Sequence, residues 1–376
     1  MPVSAWEFNP VALYFNHIAL VQFKNLETCS RGFQPGFHFI TGPNGSGKTN
    51  FLDALYYLCM TRSFLKASDR LLLRHGADFF RLEAGVADQN KSHELVIKCK
   101  PPGLKELSWD GKRSDRISEH LGRIPVVVIA PDEVFTLIRE QEERRKFLNQ
   151  TLVQIDPEYV DQLMAYNRLL KQRNAALKQM KTGGRIDHAL LDALESPMVR
   201  HAAYIAWKRK QLVERLDPLI KTYVGKISKD QQSAEMVYHT DVAEDFDQIL
   251  KSNRERDYFA QRTGFGVHRD QVSCKMGDHQ LADVGSQGQL KSFVVAMKLA
   301  QYHYLKKENK TSPVVLLDDI FAKLDAQRVV RLLDVLAEEA IEQCFITDTH
   351  EDRAKALMGA LSNSAYLYRI NQGCIE

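Results

Sequence analysis

The chain has 376 residues, 44% of them hydrophobic, which is enough to bury a large core and to form two or three domains. A formal net charge of +3 gives no global attraction for nucleic acid, so any such surface must be a local basic patch. The six cysteines (Cys29, Cys59, Cys99, Cys274, Cys344, Cys374) stand singly with no C-x-x-C pair, which argues against a metal centre or disulfide framework and for buried thiols in a reducing cytosol.

The opening "MPVSAWEFNPVALYFN" lacks a basic start followed by a continuous apolar core, so it does not read as a signal peptide. No stretch reaches the ~18 uncharged apolar residues of a membrane helix, so a cytoplasmic protein with no membrane partner is expected. Strand-like text runs from Leu13 to Ile40, and residues 50–60 turn helical. "RLEAGVAD" and "ELVIKCK" alternate as antiparallel strands do, "PPG" at 101–103 marks a turn, and "IPVVVIAP" at 124–131 reads as a buried strand stopped by proline. Residues 141–182 are charged and helix-periodic. After a Gly183-Gly184 break, a second helical run extends from Asp187 to Tyr223, and together they suggest an antiparallel hairpin. "AEMVYHT" (234–240) returns to strand. The last third alternates: "QVSCKM", a helix over 289–307, the strand "PVVLLDD", a helix over 326–340, and "CFITDTH". The pattern predicts an α/β head in two sequence halves, 1–150 and 235–376, interrupted by a helical insertion over 151–234.

"GPNGSGKT", residues 42–49, fits G-x-x-x-x-G-K-[ST] in full, after a strand and before a helix. In Gly42, Pro43, Asn44, Gly45, Ser46 and Gly47, the glycines allow backbone N–H groups to turn inward around α- and β-phosphates, and the helix N-terminus adds favourable partial charge. Lys48 should reach the β/γ-phosphates of ATP, and the Thr49 hydroxyl should ligate Mg²⁺. "SPVVLLDDIFAKLD", 312–325, runs five apolar residues into two aspartates, as a central parallel strand with polar groups at its C-terminal end would. Asp318 would then hold Mg²⁺, and Asp319 would position or deprotonate an attacking water. Read alone, the same text suits a strand ending in an aspartate N-cap.

"GSQGQLKSFVVAMKLA", 285–300, places Ser286, Gln287, Gly288 and Gln289 at the opening of an amphipathic helix. These residues resemble the signature motif of ABC-type ATPases and, more closely, the RecF family of bacterial recombination mediators. "FKNL", "TRSF", "RHG", "APDEVFTLI", "RRKFL", "LKQRNAALK", "GVHRDQ" and "LLDDIFAKLD" occur in the order and spacing of that family, so the resemblance covers nearly the whole chain. It implies an ABC-type ATPase head, a mixed sheet lobe plus a parallel phosphate-loop core, with an inserted antiparallel helical arm.

It also implies an ATP-dependent homodimer in which Ser286 and the N–H groups at Gly288 and Gln289 meet the γ-phosphate held by the partner's phosphate loop. The implied role is DNA-stimulated, slow ATP hydrolysis in repair and replication, on duplex DNA at single-strand gaps, with RecR and RecO as partners. Thr347 and His350 are both candidates for sensing the γ-phosphate, with His350 favoured. Asp319 stands where related heads usually carry Glu, which would slow turnover. "FKNLETCS" and "GVHRDQ" also depart from the family text at single positions.

Basic residues on the insertion (Lys171, Arg173, Lys178 and Lys181, then Arg200, Lys208, Arg209 and Lys210) are candidate DNA-phosphate contacts, although solvated helix faces look the same. Two other classes compete. A nucleotide-binding subunit of another assembly, SMC-like or of a transporter, shares the loop, signature and carboxylates. For the transporter form, however, the stretch from Thr49 to Ser286 is too long. A small-molecule kinase has no use for a signature motif, and "HRDQVSCK" has Lys275 where a protein kinase catalytic loop needs Asn.

Overall fold

The computed structural model describes residues 12–88, 91–228, 234–322, 324–361 and 364–376. The reading that the opening segment, residues 1–16, is no signal peptide lies for residues 1–11 outside that range.

Three strands, β1 (Tyr14–Phe23), β2 (Leu26–Gly32) and β3 (Gly36–Thr41), lead into helix α1 (Lys48–Met60). Strands β4 (Phe80–Ala87), β5 (Ser92–Lys100), β6 (Leu104–Trp109), β7 (Lys112–Arg113) and β8 (Val126–Ile129) follow. Four helices come next: α2 (Pro131–Arg139), α3 (Gln141–Leu152), α4 (Pro157–Gly183) and α5 (His188–Ser228). Strand β9 (Ala234–His239), helices α6 (Phe246–Ser252) and α7 (Arg254–Ala260), strands β10 (Gln271–Met276) and β11 (His279–Gln280), and helix α8 (Leu281–Val284) close the middle of the chain. The last part runs α9 (Gln287–Asn309), β12 (Val314–Leu317), α10 (Ala326–Glu338), β13 (Gln343–Asp348), α11 (Glu351–Ala360), β14 (Ala365–Asn371) and β15 (Cys374–Ile375).

Contacts divide the chain into two compact units. The first takes Met1–Val134, Thr222–Gln231 and Gln287–Glu376. It holds two six-stranded sheets, an antiparallel one in the order β2-β1-β4-β5-β6-β7 and a mostly parallel one in the order β15-β14-β3-β13-β12-β8. In the second sheet β14, β3, β13, β12 and β8 run parallel, and only β15 is antiparallel. β8, β12 and β13 are buried at every position, the mark of strands covered on both faces. Because β3, β13 and β12 are neighbours, the loops leaving their carboxyl ends emerge side by side, where α/β sheets put their ligands. This is the expected ABC-type head, a mixed sheet lobe beside a parallel phosphate-loop core.

The second unit takes Phe135–Lys221 and Gln232–Ser286, so β9, β10 and β11, which form a three-stranded antiparallel sheet, fold with the long helices. The helix-periodic stretch 141–182 is two helices. Asp156 accepts the backbone N–H of Tyr159 and Pro157 follows at the first helical position, so the chain restarts there instead of continuing. α4 and α5 are antiparallel: Arg173 pairs with Glu195, Gln162 with His201, and Tyr159 with Arg209. Gly184, at φ 70°, ends α4 in the left-handed conformation that glycine tolerates. Near that turn Leu177, Met180 and Leu191 form a small apolar core.

No helix among the described residues is long and apolar enough to cross a membrane. Five cysteines are buried as expected. Cys374 is exposed, because it lies on the short edge strand β15.

Candidate functional site

The glycine-rich segment leaves β3 at its carboxyl end and is held from both sides. Thr41 Oγ1 donates to Tyr368 O at 3.1 Å, and Gly373 N donates to Ser46 O at 3.1 Å. Asn25 Nδ2 reaches Gly45 O at 3.2 Å, and Asn50 Nδ2 in turn donates to Asn25 Oδ1 at 2.7 Å. Gly42 has φ 154°, and a Cβ there would lie 2.3 Å from Ile370 O, so β14 admits only glycine. Gly47, at φ 114°, would carry a Cβ 3.0 Å from Asn25 Oδ1 in a conformation that side chains rarely adopt. Close packing by the surrounding chain, as well as the phosphate approach, therefore demands these glycines.

Lys48 opens α1 and is only 7% exposed. Its Nζ donates to Gly42 O at 2.7 Å and Pro43 O at 2.9 Å, folding back over the loop. Burial lowers its pKa, while Asp319, Asp318 and Asp348 act in the opposite direction. The Ser46 hydroxyl is buried with no hydrogen-bond partner among the described residues.

The carboxylates come from the ends of the neighbouring strands. Asp318 Oδ1 accepts from Thr49 Oγ1 at 3.0 Å and from Thr347 Oγ1 at 2.8 Å. The Thr347 oxygen also accepts Asp319 N–H at 2.8 Å, and Asp319 sits at φ 42°, an unusual place for a non-glycine residue. Burial raises the pKa of Asp318, and the hydroxyls of Thr347 and Thr49 counter it by bonding the carboxylate. Asp348 is fully buried and paired with Arg353, and its Oδ1 accepts the His350 N–H at 3.0 Å.

The structure thus brings Lys48, Thr49, Asp318, Asp319 and Thr347 together. Ser286–Gln289 stand at the start of α9, with Ser286 and Gln287 exposed and Gly288 and Gln289 half-buried. His350 is the N-cap of α11. Of the two candidates on β13 and just beyond it, Thr347 is the one bonded to both aspartates.

Asn25 was not read as a site residue. Neither was Arg328, whose Nε donates to Ser292 Oγ at 2.9 Å and whose Nη2 would lie 2.6 Å from a Cβ at Gly288. Another missed group is Asp53, fully buried on α1: Lys24 Nζ lies 2.7 Å from Oδ2, Ser63 Oγ donates to the carboxylate, and Phe64 N–H donates to Oδ1 at 2.9 Å. "FKNL" and "TRSF" are thus the two segments that α1 ties together through one carboxylate.

Of the basic residues on the insertion, Lys171, Lys178, Arg200 and Lys210 are exposed. Arg173 and Arg209 are not surface groups, which corrects the sequence expectation. Arg173 is 0% exposed and bridges Glu195 and Asp257, and Arg209, at 2%, is paired with Asp270. Side-chain periodicity along one helix could not show that its cations face carboxylates on other elements. Lys208 is ion-paired with Asp156 at 2.6 Å and lies 5.0 Å from the centroid of Trp207, itself 52% exposed.

The residues fit a nucleotide and a divalent cation. The buried Ser46 hydroxyl, with no partner among the described residues, leaves a donor for a phosphate oxygen. Thr49 and Asp318 offer the hard oxygen ligands that Mg²⁺ prefers.

The RecF/RecN/SMC N terminal domain family model matches residues 14–374. The chain is 35% identical to the DNA replication and repair protein RecF of Cytophaga hutchinsonii, over 97% of each chain. It is 34% identical to the protein of the same name in Porphyromonas gingivalis, over 96% of this chain and all of that one. Among solved structures, the recombination mediator protein RecF-ATPrS in the RecFOR pathway superposes with a TM-score of 0.87 at 25% identity, covering 98% of this chain and 99% of that one. The Smc head domain of Pyrococcus furiosus shares the fold at a TM-score of 0.55 and 17% identity. With a matching family model over nearly all of its length and full-length relatives at a third identity, this chain belongs to the RecF family.

Proposed function

We propose that this chain is an ATP-binding DNA replication and repair protein that uses the triphosphate as a switch: two copies close on ATP, hydrolyse it slowly and so release duplex DNA near single-strand gaps. The observation that carries this reading is the hydrogen-bonded set Thr49–Asp318–Thr347–Asp319 beside the glycine loop, in a chain related to RecF over its whole length.

Each residue has a task that follows from its chemistry. Lys48 exchanges the carbonyls of Gly42 and Pro43 for phosphate oxygens, gaining a charged partner for a buried cation. Thr49 and Asp318 would hold Mg²⁺, which when bound neutralises charge on the phosphate oxygens. Thr347 orients the backbone at Asp319, and Asp319 holds the attacking water as a base. Its side chain is one methylene shorter than the usual Glu, so turnover is slow. Ser286 and the first N–H groups of α9 receive the γ-phosphate bound to the other copy, so the site is complete only in the dimer. The exposed Lys171, Lys178, Arg200 and Lys210 supply phosphate contacts to duplex DNA with strong salt dependence. RecR and RecO are the expected protein partners, and the cytoplasm is the expected compartment.

Sedimentation with ATP, with ADP and without nucleotide tests the switch. Wild type should dimerise only with ATP. Lys48→Met should stay monomeric because it binds no ATP, and Ser286→Arg should bind ATP yet stay monomeric. A chain that remains monomeric with saturating ATP and gapped duplex rules the proposal out.

A further inference from the structure

A cavity of about 300 Å³ lies wholly within the second unit, lined by Arg145, Lys146 and Asn149 of α3, Asn167 of α4, and Arg209 and His268 among others. Its surface is about evenly polar and apolar, and its volume sits at the small end for ligand sites, with room for a compact charged group.

Its lining carries three cations, Arg145, Lys146 and Arg209, against one carboxylate, Glu142. Arg209 is neutralised by Asp270, at 2.6 Å. Lys146 is neutralised by Glu142 at 2.7 Å and Glu143 at 3.0 Å, so the Glu142 carboxylate on the cavity wall is already engaged. Arg145 donates from Nη1 to the backbone carbonyl of Asp270 at 2.8 Å, and no carboxylate lies within ion-pair distance of it among the described residues. Burial, followed by the repulsion of Arg209, lowers the pKa of Arg145, while Asp270 and Glu142 act in the opposite direction.

The neutral walls also offer donors. Asn149 Oδ1 is taken by Arg209 Nε and Nη2 and by Tyr159 OH, which leaves its amide N–H groups for the cavity side. His268 is held neutral: Nε2–H donates to Thr263 O at 3.1 Å, which leaves Nδ1 to accept from Tyr166 OH at 2.7 Å, and burial pushes its pKa down to about 4. The positive charge therefore stays concentrated on Arg145.

We propose that this cavity is an anion site that takes a phosphate group through Arg145, Asn149 and Asn167. The group is either the phosphoryl of a small ligand or a phosphodiester of the DNA backbone. A phosphate would give the Arg145 guanidinium a direct ion-pair partner, in a bidentate geometry suited to that side chain. The site needs no nucleotide at the glycine loop and no dimer, whereas its DNA form rests on the proposed DNA binding.

The full-length chain, with its glycine loop filled by ADP, is titrated with inorganic phosphate and followed by ³¹P line broadening. In parallel, its affinity for a gapped duplex is measured across a salt series. The variants are Arg145→Gln and, should that one fail to fold, Asn167→Asp at an exposed position of the rim, each checked by circular dichroism. Loss of about tenfold or more in phosphate affinity with DNA affinity retained identifies a small phosphorylated ligand. A comparable loss in DNA affinity, with the slope of log affinity against log salt reduced by about 1, identifies the DNA backbone. If both variants match wild type in phosphate and DNA binding, the proposal is overturned.

Discussion

Asp319 combines a left-handed backbone with a place in the hydrogen-bonded set beside the glycine loop. Its N–H is fixed by Thr347, whose hydroxyl also bonds Asp318, so one side chain sets the relative position of both carboxylates. Asp319→Asn should lower kcat by roughly 10²–10⁴-fold while ATP affinity stays within a few-fold, since a general base acts on the reaction more than on binding. Thr347→Ser should keep most of the activity, and Thr347→Val should lose about tenfold or more. Single-turnover kinetics separates these effects from product release. The grouping of Lys48, Thr49, Asp318 and Asp319 was legible because the motif fixes residue type and spacing together. The part played by Thr347 was not, because no pattern along a strand says which of two nearby polar side chains turns toward the neighbouring strand.

At the scale of elements, the helical unit is held by buried charge. Arg173 joins α4 to Glu195 on α5 and Asp257 on α7, and Arg254 adds further bonds to Glu195. Removing one member leaves uncompensated charge in a dry interior. Arg173→Ala should therefore cost about 3–5 kcal/mol in unfolding free energy, measured by urea denaturation. Lys178→Ala, at an exposed position of the same helix, should change stability by no more than about 0.5 kcal/mol. If it touches DNA, it should weaken duplex binding evenly across sequences. The strands and long helices of the chain could be read from periodicity, and the break at Asp156-Pro157 was present as a cap-and-proline signal. Helices α6 and α7 were missed. Each has only 7 residues, too few for an apolar period to stand out.

At the scale of the molecule, three histidines, two buried and one half-buried, make stability depend on pH. His38, His120 and His268 all have pKa values pushed down by burial from 6.5 to about 4. Between those limits the unfolded chain binds more protons than the folded one. The stabilisation is therefore complete above pH 6.5 and is lost as pH falls toward 4. At pH 5.5 each should cost roughly 1 kcal/mol relative to pH 7.5, giving a combined loss of a few kcal/mol visible in denaturant titrations at the two pH values. Unchanged midpoints would mean that these rings are protonated in the native state.

The order β14-β3-β13 has a consequence for how the protein is made. The strand that delivers the glycine loop is an early one, yet both of its neighbours are among the last to be translated, and Gly373 N supplies a bond to Ser46. A nascent chain emerging from the ribosome therefore cannot build its nucleotide pocket until nearly 370 residues have been joined. A truncated product ending before Gln343 should be blind to ATP, which would keep incomplete copies from pairing with finished ones.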